Sequence, residues 1–170
     1  YGTVKNHRGA IQVSSELVQG TEMRLYLPLV DPPTAVEENP PGRSGQVSVR
    51  ARVLLVEDEE SVRRIVSEML ERLGCRVRSA SHGGEAIELY RRWFHEIDVV
   101  VLDLVMPEMS GKDTFIRLRA IHPAVKAIIA SGHSLDGEVQ SILDLGARGF
   151  IQKPFRIAEL ASKIAEVMAG

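Results

Sequence analysis

Four short apolar runs in the second half of the chain each end on a group that can do chemistry. Val53 to Val56 runs into Glu57-Asp58, Val99 to Leu102 into Asp103, Ala127 to Ala130 into Ser131, and Phe150 to Gln152 into Lys153-Pro154. Two carboxylates ~4 Å apart repel by about 4 kcal/mol at an effective dielectric near 20, so three of them brought together call for protons or a cation. All-oxygen ligation completed by water is the preference of Mg²⁺, with Mn²⁺ a close second. A carboxylate beside such an ion is a known nucleophile in phosphoryl transfer, forming an aspartyl phosphate. Asp103 is the best candidate, because Met106-Pro107 and Gly111 build a turn that holds it out from its strand. Lys153 then offers a compact positive charge to phosphoryl oxygens and Ser131 a hydroxyl donor. Taken singly, Asp58 and Ser131 would be helix caps, Asp103 a turn residue, Lys153 a solvated lysine and Phe150 a core aromatic. Their joint placement at the ends of separate strands is what favours one reaction site.

The elements that must position these groups follow from the hydrophobic pattern. Short unalternating β-branched runs are the signature of strands buried on both faces of a parallel sheet, whose ligands bind just outside the carboxyl ends of the strands. Between the runs the period changes to that of helices: Val62, Ile65, Val66, Met69, Leu70 and Leu73 form one stripe, stopped by Gly74 before a strand beginning at Val77. A second helix is predicted over Glu85 to Phe94, a third from the cap Ser110 through Ile121, and a fourth from Leu135 to Leu145 ending at Gly146. Ile157, Leu160, Ile164 and Val167 line a fifth. Five βα units with right-handed crossovers predict an α/β fold: a doubly wound, five-stranded parallel sheet in a three-layer α/β/α sandwich, with five helices. Ahead of it, Ala10 to Leu29 alternates with period two around Gly20-Thr21, a short N-terminal β-hairpin appendage too small to bury a core of its own. Residues 31–50 are rich in Pro, Gly, Ser and Glu without periodicity, the composition of a linker. The expected organisation is therefore 1–30, a linker at 31–50, and one domain over 51–170.

A length of 170 residues suits one domain plus an appendage. The net charge of -2, with both signs interspersed, argues against a nucleic acid or a membrane surface as the partner. No apolar stretch approaches the ~20 residues that span a bilayer and no leader opens the chain, so a cytoplasmic location is expected. The opening at Tyr1 already reads like the inside of a domain, which suggests an excerpt from a longer protein. Cys75, alone, excludes an internal disulfide and a CxxC metal site, and reads as a small packed side chain before a strand. The five histidines give no ligand pair at metal-binding spacing, and no GxGxxG follows a strand.

Residues 52–168 resemble the receiver domain of two-component response regulators. The resemblance is carried by Val53-Leu54-Leu55-Val56-Glu57-Asp58, by Asp103-Leu104-Val105-Met106-Pro107-Glu108-Met109-Ser110-Gly111, by Ser131-Gly132, and by Gly149-Phe150-Ile151-Gln152-Lys153-Pro154-Phe155. It implies the strand order 2-1-3-4-5 and a cis Lys153-Pro154 peptide. It also implies that Asp103 accepts a phosphoryl group from the phosphohistidine of a histidine kinase or histidine phosphotransfer domain, while Glu57, Asp58, Asp103 and the main-chain carbonyl of Val105 hold Mg²⁺. Ser131 and Phe150 become the switch pair that couples phosphorylation to the surface of the fourth helix, last strand and fifth helix. Ser131 stands where threonine is common in the family and Phe150 where tyrosine often is; the resemblance also implies that Val105 and His133 flank the route of an attacking water. The front segment, Tyr1 to Ile11 and Gly20 to Leu29, resembles the end of a histidine-kinase ATP-binding domain without its nucleotide loops. That implies a hybrid histidine kinase as parent and a fragment that has no kinase activity and binds no ATP. Two other readings share the inventory. A haloacid-dehalogenase-type aspartyl phosphatase needs Asp-x-Asp after its first strand, where this chain has Glu57-Asp58-Glu59-Glu60, and a receiver-like interaction module would never accept phosphate.

Overall fold

A computed structural model describes residues 9–16, 20–26, 28, 49–132 and 137–170, and the chain divides into two compact units, 1–44 and 45–170. In the first, β1 (Ala10–Glu16) and β2 (Gly20–Tyr26) form the expected antiparallel hairpin, with Ile11 opposite Leu25 and Val13 opposite Met23. Period two places these four apolar residues on one face and Gln12, Ser14, Glu22 and Arg24 on the other.

In the second unit the apolar runs become the strands of one parallel sheet: β3 (Arg52–Val56), β4 (Arg76–Ala80), β5 (Val99–Asp103), β6 (Ala127–Ser131) and β7 (Gly149–Gln152). Their order is β4-β3-β5-β6-β7, which is 2-1-3-4-5 when counted within the unit. The helices are α1 (Glu60–Arg72), α2 (Gly83–Trp93), α3 (Gly111–Ile121), α4 (Gly137–Asp144) and α5 (Ile157–Ala169). Successive strand residues point to opposite faces, and this divides the core in two. Leu54, Val56, Val100, Leu102 and Ile129 meet Ala86, Tyr90, Phe115, Leu118, Val139 and Ile142 of α2, α3 and α4. On the other face Val53, Leu55, Val101, Ile128 and Ala130 meet Val66, Leu70, Leu160, Ile164 and Val167 of α1 and α5. Both faces are covered, which is why the strand sequences do not alternate. Val49, in the stretch read as linker, is buried in the second cluster, and its amide donates to Leu73 O at 2.9 Å. Residues 31–48 lie outside the described residues.

Helix ends follow local chemistry. At Gly74 (φ 88°) the amides of Gly74 and Cys75 return to Glu71 O and Leu70 O, and Gly146 (φ 103°) closes α4 in the same way. The Ser110 hydroxyl caps α3 by accepting from Asp113 N at 3.1 Å. Two boundaries differ from expectation. α2 begins at Gly83 instead of Glu85, because the His82 ring accepts the Glu85 amide and acts as the cap. It ends at Trp93, followed by a 3₁₀ turn over Phe94–Glu96. Residues 135 and 136 of the expected fourth helix lie outside the described residues; α4 is described from Gly137. Cys75 is buried, and its thiol donates to Val49 O at 2.9 Å.

Candidate functional site

The chain reverses its direction of progress across the sheet between β3 and β5, so the carboxyl ends of these adjacent strands open a crevice. Val56 pairs with Leu102, so the residues that follow each of them, Glu57 and Asp103, emerge side by side. Ligand oxygens of Glu57, Asp58 and Asp103 all lie within 4.8 Å of one another. Glu57 is only 4% exposed and Asp103 8%. Into this cluster reaches Lys153, whose ammonium donates to Glu57 Oε2 at 2.5 Å and stands 3.0 Å from Asp103 Oδ2.

The loops hold these groups in place through their main chains. The Glu57 amide donates to Ala80 O at 3.1 Å and the Leu104 amide to Ala130 O at 3.0 Å. The Lys153 amide donates to Ser131 O at 2.7 Å, so the lysine leaves β7 directly beside the end of β6. Lys153-Pro154 is cis, as the resemblance implied. The turn after Asp103 is closed by Met109 N to Pro107 O at 2.7 Å and Gly111 N to Leu104 O at 2.9 Å. Glu108 within it takes a left-handed conformation (φ 65°), which is uncommon for a residue with a long side chain. Gly111 is dictated by proximity: a Cβ there would lie 2.2 Å from Asp103 O and 2.8 Å from Leu104 Cα.

Burial is the largest influence on Glu57 and pushes its carboxyl above the usual range, more than the bond from Lys153 lowers it; the charge of Asp103 adds to the rise. For Lys153 burial acts downward, but the bonds to Glu57 and Asp103 outweigh it and hold the ammonium above its ordinary value. Three carboxylates face one ammonium, so the cluster is short of positive charge. Its donor set is all oxygen, with two nearly buried carboxylates and a third, Asp58, nearer solvent. This composition fits a small hard divalent cation.

The structure thus brings Glu57, Asp58, Asp103 and Lys153 together, with Ser131 fully buried at the adjoining strand end. Val105, two positions after the acceptor candidate, is 64% exposed. Phe150 is not among the clustered polar groups; it sits on β7 opposite Ile129, half-buried against the core. His133 lies outside the described residues. The guanidinium groups of Arg78 and Arg92 lie over the Trp93 ring, 4.5 and 5.1 Å from its centroid. Sequence reasoning did not foresee the Glu57–Lys153 pair, whose partners are 96 residues apart. It also passed over Arg63, whose Nη1 donates to the main-chain carbonyls of Glu57 at 2.8 Å and Asp58 at 3.1 Å. The available signal was its place in the first turn after the acidic pair, four residues beyond Glu59.

Comparison with known proteins agrees with this architecture. The sensor kinase CckA of Brucella abortus is 35% identical over 99% of this chain, which spans 18% of the length of that kinase. The chemotaxis protein CheY of Thermotoga maritima is 33% identical over 68% of this chain and 98% of its own length. Among solved structures, the receiver domain of the sensor histidine kinase PA1611 from Pseudomonas aeruginosa PAO1, which has a magnesium ion coordinated in its active site cleft, superposes with a TM-score of 0.65. That match has 26% identity and covers 72% of this chain and all of that one. No helix among the described residues is long and apolar enough to cross a membrane. The model of the response regulator receiver domain matches residues 53–165, the whole doubly wound unit from its first strand into its last helix, and the chain belongs to that family.

Proposed function

We propose that this chain is a phosphoacceptor module of a two-component phosphorelay, in which Asp103 takes a phosphoryl group from a phosphohistidine. The observation that carries this reading is the convergence of Glu57, Asp58 and Asp103 within 4.8 Å, with Lys153 bridging Glu57 and Asp103. An Asp103 carboxylate oxygen attacks phosphorus in line with the leaving imidazole; a P–O bond forms, the P–N bond breaks, and the imidazole leaves with its proton. Lys153, already 3.0 Å from Asp103, pairs with a phosphoryl oxygen, and the Ser131 hydroxyl donates to another. Glu57, Asp58, Asp103 and the Val105 main-chain carbonyl would hold Mg²⁺, with Mn²⁺ as a substitute. The bound cation supplies neutralisation of the oxygen charge that builds up in the transition state.

Phosphorylation adds roughly −1.5 to −2 charges at neutral pH, which draws Ser131 toward the acceptor and frees room for Phe150 to turn inward. A cleft of about 480 Å³ lined by Phe150, Gln152, Lys153, Pro154, Glu159 and Lys163 borders both Phe150 and Lys153, and in this reading the face of α4, β7 and α5 is the output surface. A partner responds only insofar as it prefers one packing over the other. The aspartyl-phosphatase reading is disfavoured by Glu57-Asp58 in place of Asp-x-Asp, and a phosphate-free interaction module by the complete acidic pocket.

The similarity to CckA across 99% of the chain, hairpin included, supports a hybrid histidine kinase as the parent, with residues 1–30 the tail of its ATP-binding domain, 31–50 a linker and 51–170 the receiver. The phosphodonor is then a histidine kinase or a histidine phosphotransfer domain, and the compartment the cytoplasm. Incubation with Mg²⁺ and acetyl phosphate should add one phosphoryl group per chain by intact mass, and Asp103→Asn should abolish it. Continued acceptance by that variant, or catalytic turnover of phosphate esters, would defeat the reading.

A further inference from the structure

Among the described residues, Arg63 is the cationic side chain that grips the backbone carrying the acidic pair. Its Nη1 donates to the carbonyl of Glu57 at 2.8 Å and to that of Asp58 at 3.1 Å, while its own amide donates to Glu59 O at 2.8 Å. The first turn of α1 therefore starts from this loop and also reaches back over it. On the opposite side the Glu57 amide is fixed to Ala80 O of β4. The peptide planes on both sides of Glu57 and after Asp58 are thus held, and those planes determine where the two carboxylates point. A guanidinium is suited to this task because it is always charged and presents its donors in a rigid planar fork. Its charge also reaches Glu85, the residue whose carboxylate accepts from Ser81 N at 2.7 Å.

We infer that Arg63 is a positioning residue for cation binding: by clamping the Glu57 and Asp58 carbonyls it keeps both carboxylates at ligating distance from Asp103. This rests on the reading that the pocket holds Mg²⁺. Without the clamp the two peptide planes reorient, and the ordering of the loop falls on the cation, whose affinity drops. Through-space charge has the opposite sign, since removing a positive group near a cation site should tighten binding. A weakened affinity is therefore specific to positioning.

The test is calorimetric titration of the full chain with Mg²⁺ in wild type, Arg63→Ala, Arg63→Lys and, as a control, the exposed neighbour Arg64→Ala. Arg63→Ala should bind about tenfold more weakly, in the range found when groups that orient metal ligands are removed. Arg63→Lys should recover part of the loss, because an ammonium can still reach a carbonyl, and Arg64→Ala should match wild type. In metal-free protein, amide exchange at Glu57 and Asp58 should be faster in Arg63→Ala, a readout that needs no bound ion. Unchanged or tighter Mg²⁺ binding by Arg63→Ala overturns the inference and leaves the pocket reading standing, whereas a wild type that binds no Mg²⁺ removes both. If Arg63→Ala does not fold, Arg63→Gln, which keeps most of the aliphatic stem, is judged by the same criterion of weakened against unchanged affinity.

Discussion

At the scale of single residues, Lys153 does two jobs. It is the cation that lets Glu57 and Asp103 share a nearly buried space; in the proposed reaction it would then pair with the phosphoryl oxygens. Lys153→Ala should therefore destabilise the metal-free protein by about 2 kcal/mol, less than the ~3–5 kcal/mol of a fully buried pair because Glu57 can take up a proton instead. Added Mg²⁺ should restore most of that loss, so urea melts with and without the ion should differ more for the variant than for wild type. At the opposite end of the sheet, Asp98 holds the start of β3 through Arg52, accepting its amide at 2.8 Å and its guanidinium at 2.5 and 3.0 Å. The hydrogen bond from the Arg52 side chain is the main cause that holds the Asp98 carboxyl below its usual range. A lowered folded-state value means that this stabilisation is complete above the unfolded Asp value of ~3.9 and disappears as the pH falls through the folded one. Asp98→Asn should lower the urea midpoint at pH 7, and the gap to wild type should close below about pH 4.

The element that holds Asp103, the proposed acceptor, is the loop between β5 and α3. It returns within eight residues to place Gly111 against the backbone of Asp103, an approach that no side chain permits. Gly111→Ala should cost about 3 kcal/mol, the upper range for an overpacked site, and should slow phosphoryl acceptance even in protein that remains folded. Guanidinium-chloride unfolding together with a time course of acetyl-phosphate labelling reads both effects. Strain in the same turn sits at Glu108, since a left-handed conformation costs a side-chain-bearing residue about 1–2 kcal/mol. Asparagine tolerates that region better, so Glu108→Asn should stabilise the fold by roughly 1 kcal/mol, read as a higher thermal midpoint, with labelling unaffected.

On the scale of the whole molecule, both core layers are closed within residues 49–170, which gives this unit its own means of folding. Residues 45–170 expressed alone should unfold in one cooperative transition and accept phosphate. Cation binding should add to that stability by linkage: Mg²⁺ at about 100 times its dissociation constant contributes ~2.7 kcal/mol. For a unit of this size the thermal midpoint should rise by about 10 °C. Asp103→Asn should show a smaller rise in differential scanning calorimetry, since one ligating charge is gone. An equal rise would move the cation away from Asp103.

Much of this protein was legible in its residues. Unalternating apolar runs ending at Glu57, Asp103, Ser131 and Lys153 determined that buried parallel strands would deliver these groups to one edge, because burial on both faces removes the polar alternation. Glycines at 74 and 146 and Ser110 marked helix ends, since the terminal amides and carbonyls must find partners within a few residues. What remained for the tertiary structure were the interactions between segments distant in sequence. That Lys153 would pair with Glu57 as well as approach Asp103, that Gly111 would lie against the Asp103 carbonyl, and that Arg63 would grip two main-chain oxygens depended on loop paths. Periodicity reports which face a residue occupies, whereas a distance of 2.5 or 3.0 Å between side chains from different strands is decided only when the sheet has its order and register.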